Sequence, residues 1–292
     1  MPIRRAARSP LAVCTALAAL LALSGCDLAD RGDGARGADA GPSPTGAEPS
    51  QPSEDTKAPV RSRPKPRTST ITLDDVVLRI GARKAVTVQA DEDGPGTRTV
   101  TLSLAPGGSA RIALASPGAL DVDSDGSITV LDGDGTPVAA VSPPATPSGT
   151  TEDDAPRIEV TDIDATRARV EVDRPRVARG SDSAGTARRP GPLPVTFVVG
   201  THAIESATWG ENEGGRSLAV DPTDWARHAG QAGLDLIRTQ LVAAEPDAGS
   251  TTMGDQLVCH AVGAPDKATW NLEPWRPDVG LILTATAHCN PV

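Results

Sequence analysis

Of the 292 residues, 27 are proline and 29 glycine and only 38% are hydrophobic, so a sizeable part of the chain lies outside any core. The formal charge of -10 excludes nucleic acid and anionic lipid surfaces as natural partners. One phenylalanine, no tyrosine and four tryptophans mean that any large core is built from aliphatic side chains.

Arg4, Arg5 and Arg8 precede "LAVCTALAALLAL", Leu11 to Leu23, an apolar run too short to span a bilayer comfortably. A basic start followed by such a run reads as a targeting segment. It ends in "LSGC", Leu23 to Cys26, which resembles the lipobox of bacterial lipoproteins: an aliphatic residue, two small ones and a cysteine. The resemblance implies a signal peptide of residues 1–25, a diacylglyceryl thioether with palmitate-type chains on Cys26, and a protein lipid-anchored at the extracytoplasmic face of the cell membrane. An ordinary secretory peptide ending near a cysteine is the alternative, and it also places the protein outside the cytoplasm. Removal of residues 1–25 takes away three arginines and no acids, which moves the formal charge from -10 to -13.

Residues 26–70 are rich in Pro, Ser and Gly, lack apolar periodicity and read as a disordered linker. Its prolines extend it to a reach on the order of 100 Å. From 71 to 200, short runs alternate at every second position: "VTVQA", "TVTLSLA", "ARIALA", "SITVL", "PVAAV", "RIEV", "RARVEV" and "PVTFVV". Eight such runs between Gly, Pro and Asp clusters predict an all-β antiparallel, sandwich-like middle domain. Two inserts, at 142–156 and 176–192, read as long loops.

Residues 201–292 hold all four tryptophans, all four histidines, Cys259 and Cys289. "DPTDWARHAGQAGLDLIRTQLVAA" predicts helix, capped by Asp221 with Pro222 at its first position, and Gly230 and Gly233 permit two short helices. "AIESATWG" and "RSLAVDP" read as strands before it, and "DQLVCHAV", "ATWNLEP" and "GLILTATAHC" as strands after it. The expectation is a small α+β C-terminal domain with one disulfide, and an α+β class for the whole chain. Once Cys14 leaves with the signal and Cys26 carries lipid, Cys259 and Cys289 remain in an oxidising compartment, where two cysteines most simply pair.

"DVDSDGSITVLD" spaces Asp121, Asp123, Asp125 and Asp132 as a calcium loop spaces its oxygen ligands, with Gly126 at the sharp turn. Asp-Gly steps between strand-like flanks are equally hairpin turns. No phosphate-binding glycine loop, zinc-protease signature or Cys-x-x-Cys pair is present, and no cofactor is expected. "GSDSAG", Gly180 to Gly185, lacks the context of a serine nucleophile.

In the C-terminal region, direct antiparallel pairing of Cys259 with Cys289 would also oppose His260 and His288 on the other face of a sheet. Two adjacent imidazoles can titrate as a pair or bind a metal, with Glu273 or His202 as further candidates. Zinc held by both cysteines and both histidines is a second arrangement, and two surface histidines beside a staple a third. In "WNLEPWRP", Trp275 and Glu273 are the material of a sugar-binding surface, whereas core packing and a Glu273–Arg276 ion pair are the structural alternative.

"MGDQLVCHAVGAPDKATWNLEPWRPDVG" with "AHCNPV", preceded by "ATWG" and "SLAVDPTDWAR", resembles a C-terminal domain of secreted and lipid-anchored proteins of high-GC Gram-positive bacteria, domain of unknown function 2599. The likeness covers about residues 202–292 and agrees with the cysteine pairing, but lends no activity and no catalytic residue. The expected protein is a lipoprotein of the cell envelope that binds wall glycan or another envelope protein, with no catalytic residues assigned. The alternative is a secreted hydrolase or toxin-like effector using His260, His288 and Glu273.

Overall fold

Period-two alternation makes a strand wherever one face meets a core and the other meets water. A computed structural model describes residues 67–146, 156–173 and 191–292. It contains β1 (Arg67–Leu73), β2 (Val76–Ala82), β3 (Val86–Ala90), β4 (Thr97–Leu104), β5 (Ser109–Leu114), β6 (Ala119–Val122), β7 (Ile128–Leu131), β8 (Pro137–Val141), β9 (Ile158–Asp164), β10 (Arg167–Val172) and β11 (Leu193–Gly200). These form a five-stranded sheet, β1-β2-β5-β10-β9, and a six-stranded sheet, β3-β4-β11-β8-β7-β6, antiparallel throughout. Leu78, Ile80, Ile112 and Val170 from the first sheet meet Val100, Leu102, Val130 and Phe197 from the second in one core, where Phe197 is the only buried aromatic. The aliphatic antiparallel sandwich is therefore present, with three strands, β1, β2 and β6, that the eight alternating runs did not include. Pairing starts at Arg67, inside the segment expected to be linker. The expected signal peptide, Cys26, the linker through residue 66 and the middle of both inserts lie outside the described residues.

Beyond Gly200 run β12 (Ile204–Asn212), β13 (Gly215–Pro222), α1 (Asp224–Arg227), α2 (Gly230–Ala244), α3 (Thr251–Gly263), β14 (Trp270–Leu272) and α4 (Leu281–Thr286). Glu213 and Gly214, both at positive φ, turn β12 into β13, and β14 completes a three-stranded antiparallel sheet. Trp225, Ala229, Ala232 and Leu236 are buried on one side, as their spacing predicts. The cap differs from expectation: Pro222 ends β13 and Thr223 precedes α1. Two of the three expected late strands are helices. In α3 the buried residues Met253, Gln256, Leu257 and His260 recur at helical spacing, and the Ser250 hydroxyl accepts from the Met253 amide at 3.4 Å. Among the described residues no helix is long and apolar enough to cross a membrane.

The second core leans on the first. Helix α2 lies on β7 and β8, and Ala140 of β8 belongs to the core beneath α2. That is why Ala139, Ala140 and Val141 are buried in succession: this part of the sheet is covered on both faces. At the end of β11, Gly200 lies against Trp225 so closely that a Cβ there would sit 2.5 Å from the ring.

The acidic turn of β6–β7 makes the other connection. Asp125 Oδ2 accepts from the Gln231 amide at 2.8 Å, and the Ser127 hydroxyl oxygen accepts from the Ala232 amide at 3.1 Å. The side chains that satisfy the first amides of α2 thus come from a hairpin over a hundred residues earlier in the chain. Gly230 opens the helix at φ +70, and a Cβ there would meet Asp125 Oδ2 at 2.2 Å. Burial pushes the Asp125 carboxyl up, but hydrogen bonds from the Ser127 hydroxyl and from the Ser127 and Gln231 amides outweigh it, and the net direction is down.

This geometry distributes the four aspartates of the calcium-loop spacing over a strand and two turns. Asp123 accepts from the Ser127 and Thr129 hydroxyls, Asp125 is engaged by Ser127 and α2, and Asp132 lies in the next turn, accepting from the Asp134 and Thr136 amides. Asp121 sits in β6 opposite Thr129. The twelve-residue spacing is divided between two hairpin turns, and no cluster of three or more metal-ligating side chains occurs among the described residues.

Candidate functional site

Cys259 and Cys289 are joined, with Cα atoms 5.6 Å apart, so neither thiol is free for a zinc site. The disulfide ties α3 to the segment after α4, and the opposed-strand arrangement of His260 and His288 does not form because their segments are helical or follow a helix. The imidazoles are brought together by another route. Both line an open cavity of about 470 Å³ between α3 and α4, whose wall includes the disulfide, Val258, Val262 and Leu281. His288 and Cys289 are both at positive φ, closing the end of α4 through a Cys289 amide to Thr284 carbonyl bond of 2.9 Å.

His260 is 4% exposed. Its Nε2 lies 3.2 Å from the Asn271 carbonyl of β14, so the ring carries its proton on Nε2 and leaves Nδ1 as an acceptor. Nδ1 is buried and has no partner. The ring stacks parallel to Trp270 with centroids 6.5 Å apart. Burial, reinforced by the Lys267 charge, holds the imidazole below its ordinary pKa despite the Asn271 carbonyl and Glu273.

Lys267 also lines the cavity, and Arg227 puts it there. The Arg227 guanidinium donates to the carbonyls of Pro265 (2.9 Å), Lys267 (2.7 Å) and Ala268 (2.9 Å) and to Asp221 (2.6 Å), fixing the loop between α3 and β14. Sequence reasoning missed both residues. The DWAR segment reads only as helix, and nothing in it announces backbone partners 38, 40 and 41 residues further on.

Glu273 and Trp275 do not join the histidines. Glu273 is 1% exposed, ion-paired to Arg276 and bonded to Asn212 at 2.9 Å, while its backbone exchanges two hydrogen bonds with the Gln256 amide group. Arg276 also holds Glu213 and the Pro291 carbonyl. Trp275 is partly exposed, but lies against Gly215 and under the Arg276 guanidinium, 4.6 Å from its ring centroid. The Trp-carboxylate sugar surface therefore does not assemble. His202 stands elsewhere, exposed near Asp74. A separate, acid-rich cleft of about 710 Å³ is lined by Glu92, Asp93, Glu205, Asp221 and Asp224; Asp93 accepts from Thr99 and Asp221 pairs with Arg227.

The apolar surface concentrates around the α3–α4 cavity. Val262 is 78% exposed, Leu281 41%, Ile282 81% and Leu283 57%, more than an isolated six-residue helix needs to leave in water.

No solved structure matches the chain. The "Uncharacterized protein Rv0477" of Mycobacterium tuberculosis and the "Uncharacterized protein Mb0487" of Mycobacterium bovis are each 36% identical to it over 95 residues, 30% of this chain. The chain spans 62% of the length of these curated relatives. The segment that carries the cavity, the disulfide and both histidines, residues 204–292, matches the family described as "Protein of unknown function (DUF2599)".

Proposed function

We propose that the protein is a lipid-anchored, extracytoplasmic binding protein of the cell envelope, and that the α3–α4 cavity captures a small amphipathic ligand there. The lipobox-like "LSGC" supports the anchor, and a disulfide suits an oxidising compartment. The observation that carries the binding reading is the cavity itself: its volume and apolar lining with a few polar groups are those of a small-molecule site, and its rim leaves Val262 and Leu281 exposed. Wall glycan is the weaker partner, since Trp275 and Glu273 are engaged within the fold. The hydrolase reading loses its carboxylate, because Glu273 is buried away from the cavity that His260 and His288 line.

Two measurements test these halves separately. Cells grown with an alkyne-tagged fatty acid should label the full chain and leave a Cys26→Ser variant unlabelled; an unlabelled wild type rejects the anchor. An anilinonaphthalene sulfonate dye should brighten on the full chain, and Leu281→Asp, at an exposed position, should remove most of that signal without changing the thermal midpoint. Equal signals from both chains would reject the cavity as the binding site.

A further inference from the structure

Residues 201–292 carry twelve acidic side chains against five lysines and arginines. None of those acids lines the α3–α4 cavity, whose ionisable groups are Lys267, His260 and His288. A region this acidic that excludes every carboxylate from one apolar cavity, and brings one of its five cationic side chains to it, is complementary to an anion with an apolar body.

From this charge pattern and the apolar wall, we infer that the cavity binds a long-chain carboxylic acid. The inference rests on the proposed binding role of the same cavity. The acyl chain lies against Val258, Val262, Leu281 and Ala285. The carboxylate meets Lys267, and a single ammonium matches a single negative charge where a phosphate dianion would remain half neutralised. His260 keeps its Nε2–H on the Asn271 carbonyl and its Nδ1 out of reach of solvent, so the ring joins the apolar wall and leaves Lys267 as the charge that meets the head group.

The test displaces the dye from the full chain with laurate, dodecanol and dodecyl phosphate. Laurate is expected to compete about tenfold more tightly than dodecanol, the scale of one charge-assisted contact, and more tightly than the phosphate. Lys267→Met, at an exposed position, should abolish the preference for acid over alcohol, read as the ratio of their two affinities by calorimetry, without changing the thermal midpoint. If acid and alcohol compete equally, or Lys267→Met leaves their ratio unchanged, the carboxylate assignment falls while the binding site stands. Tighter phosphate binding overturns the choice of head group. A chain that binds neither dye nor laurate fails at the earlier step, the cavity as a binding site.

Discussion

Arg276→Ala is expected to destabilise the protein by about 3–5 kcal/mol, the range for removing one partner of a buried ion pair. Both side chains of the Glu273–Arg276 pair are 1% exposed, so the substitution strands the Glu273 carboxylate with Asn212 alone. It also frees Glu213 in the β12–β13 turn and the carbonyl of Pro291, which means one guanidinium joins a hairpin, the strand β14 exit and the chain terminus. For a protein of this size the thermal midpoint should fall by roughly 10 °C. All four tryptophans lie at or beyond residue 209, so intrinsic fluorescence follows the part of the molecule concerned. The double variant Glu273→Gln with Arg276→Met should recover much of the loss, because no unpaired charge is then buried. A loss below about 1 kcal/mol in the single variant would mean that the carboxylate finds water or protonates without penalty.

Removing the disulfide comes next in magnitude. Cys259 and Cys289 are 30 residues apart, and closing a loop of that length in the unfolded chain corresponds to about 3–4 kcal/mol. Cys259→Ser with Cys289→Ser should lower the midpoint accordingly, and reductant should do the same to the wild type and nothing to the double variant. A second effect distinguishes this loss from that at Arg276. His288 and Cys289 keep their left-handed backbone only while the end of α4 is tied down, so untying it should also remove dye binding at temperatures where β14 and α2 remain folded. An unchanged midpoint in reductant would show that α4 is held by contacts other than the bond.

How far the amino-acid order discloses this architecture depends on what each residue answers to. Val100, Leu102, Ile112 and Val170 answer to one sheet face, and their alternation reads directly as strand. Ala139, Ala140 and Val141 answer to two faces, so alternation fails there without the strand failing. "QLVCHAV" is apolar at almost every position, and neither period wins locally; Ser250 as cap and the contacts of Met253 and Leu257 decide for helix. The pairing of the two cysteines followed from compartment and count, while the geometry that brings His260 and His288 to one cavity did not, since it depends on that helix. Glu273 looked chemically available because burial is invisible in a sequence. Arg227 and Lys267 look ordinary because what places them is a set of backbone carbonyls, bound by the Arg227 guanidinium, that no side-chain pattern announces.

The amides at the start of α2 find their acceptors on Asp125 and Ser127, yet the family match begins at residue 204. The segment that matches the family and the length of chain that closes the start of α2 are therefore different. A protein that carries the same segment on another partner inherits a helix with an open end, and must close it with its own side chains or with water.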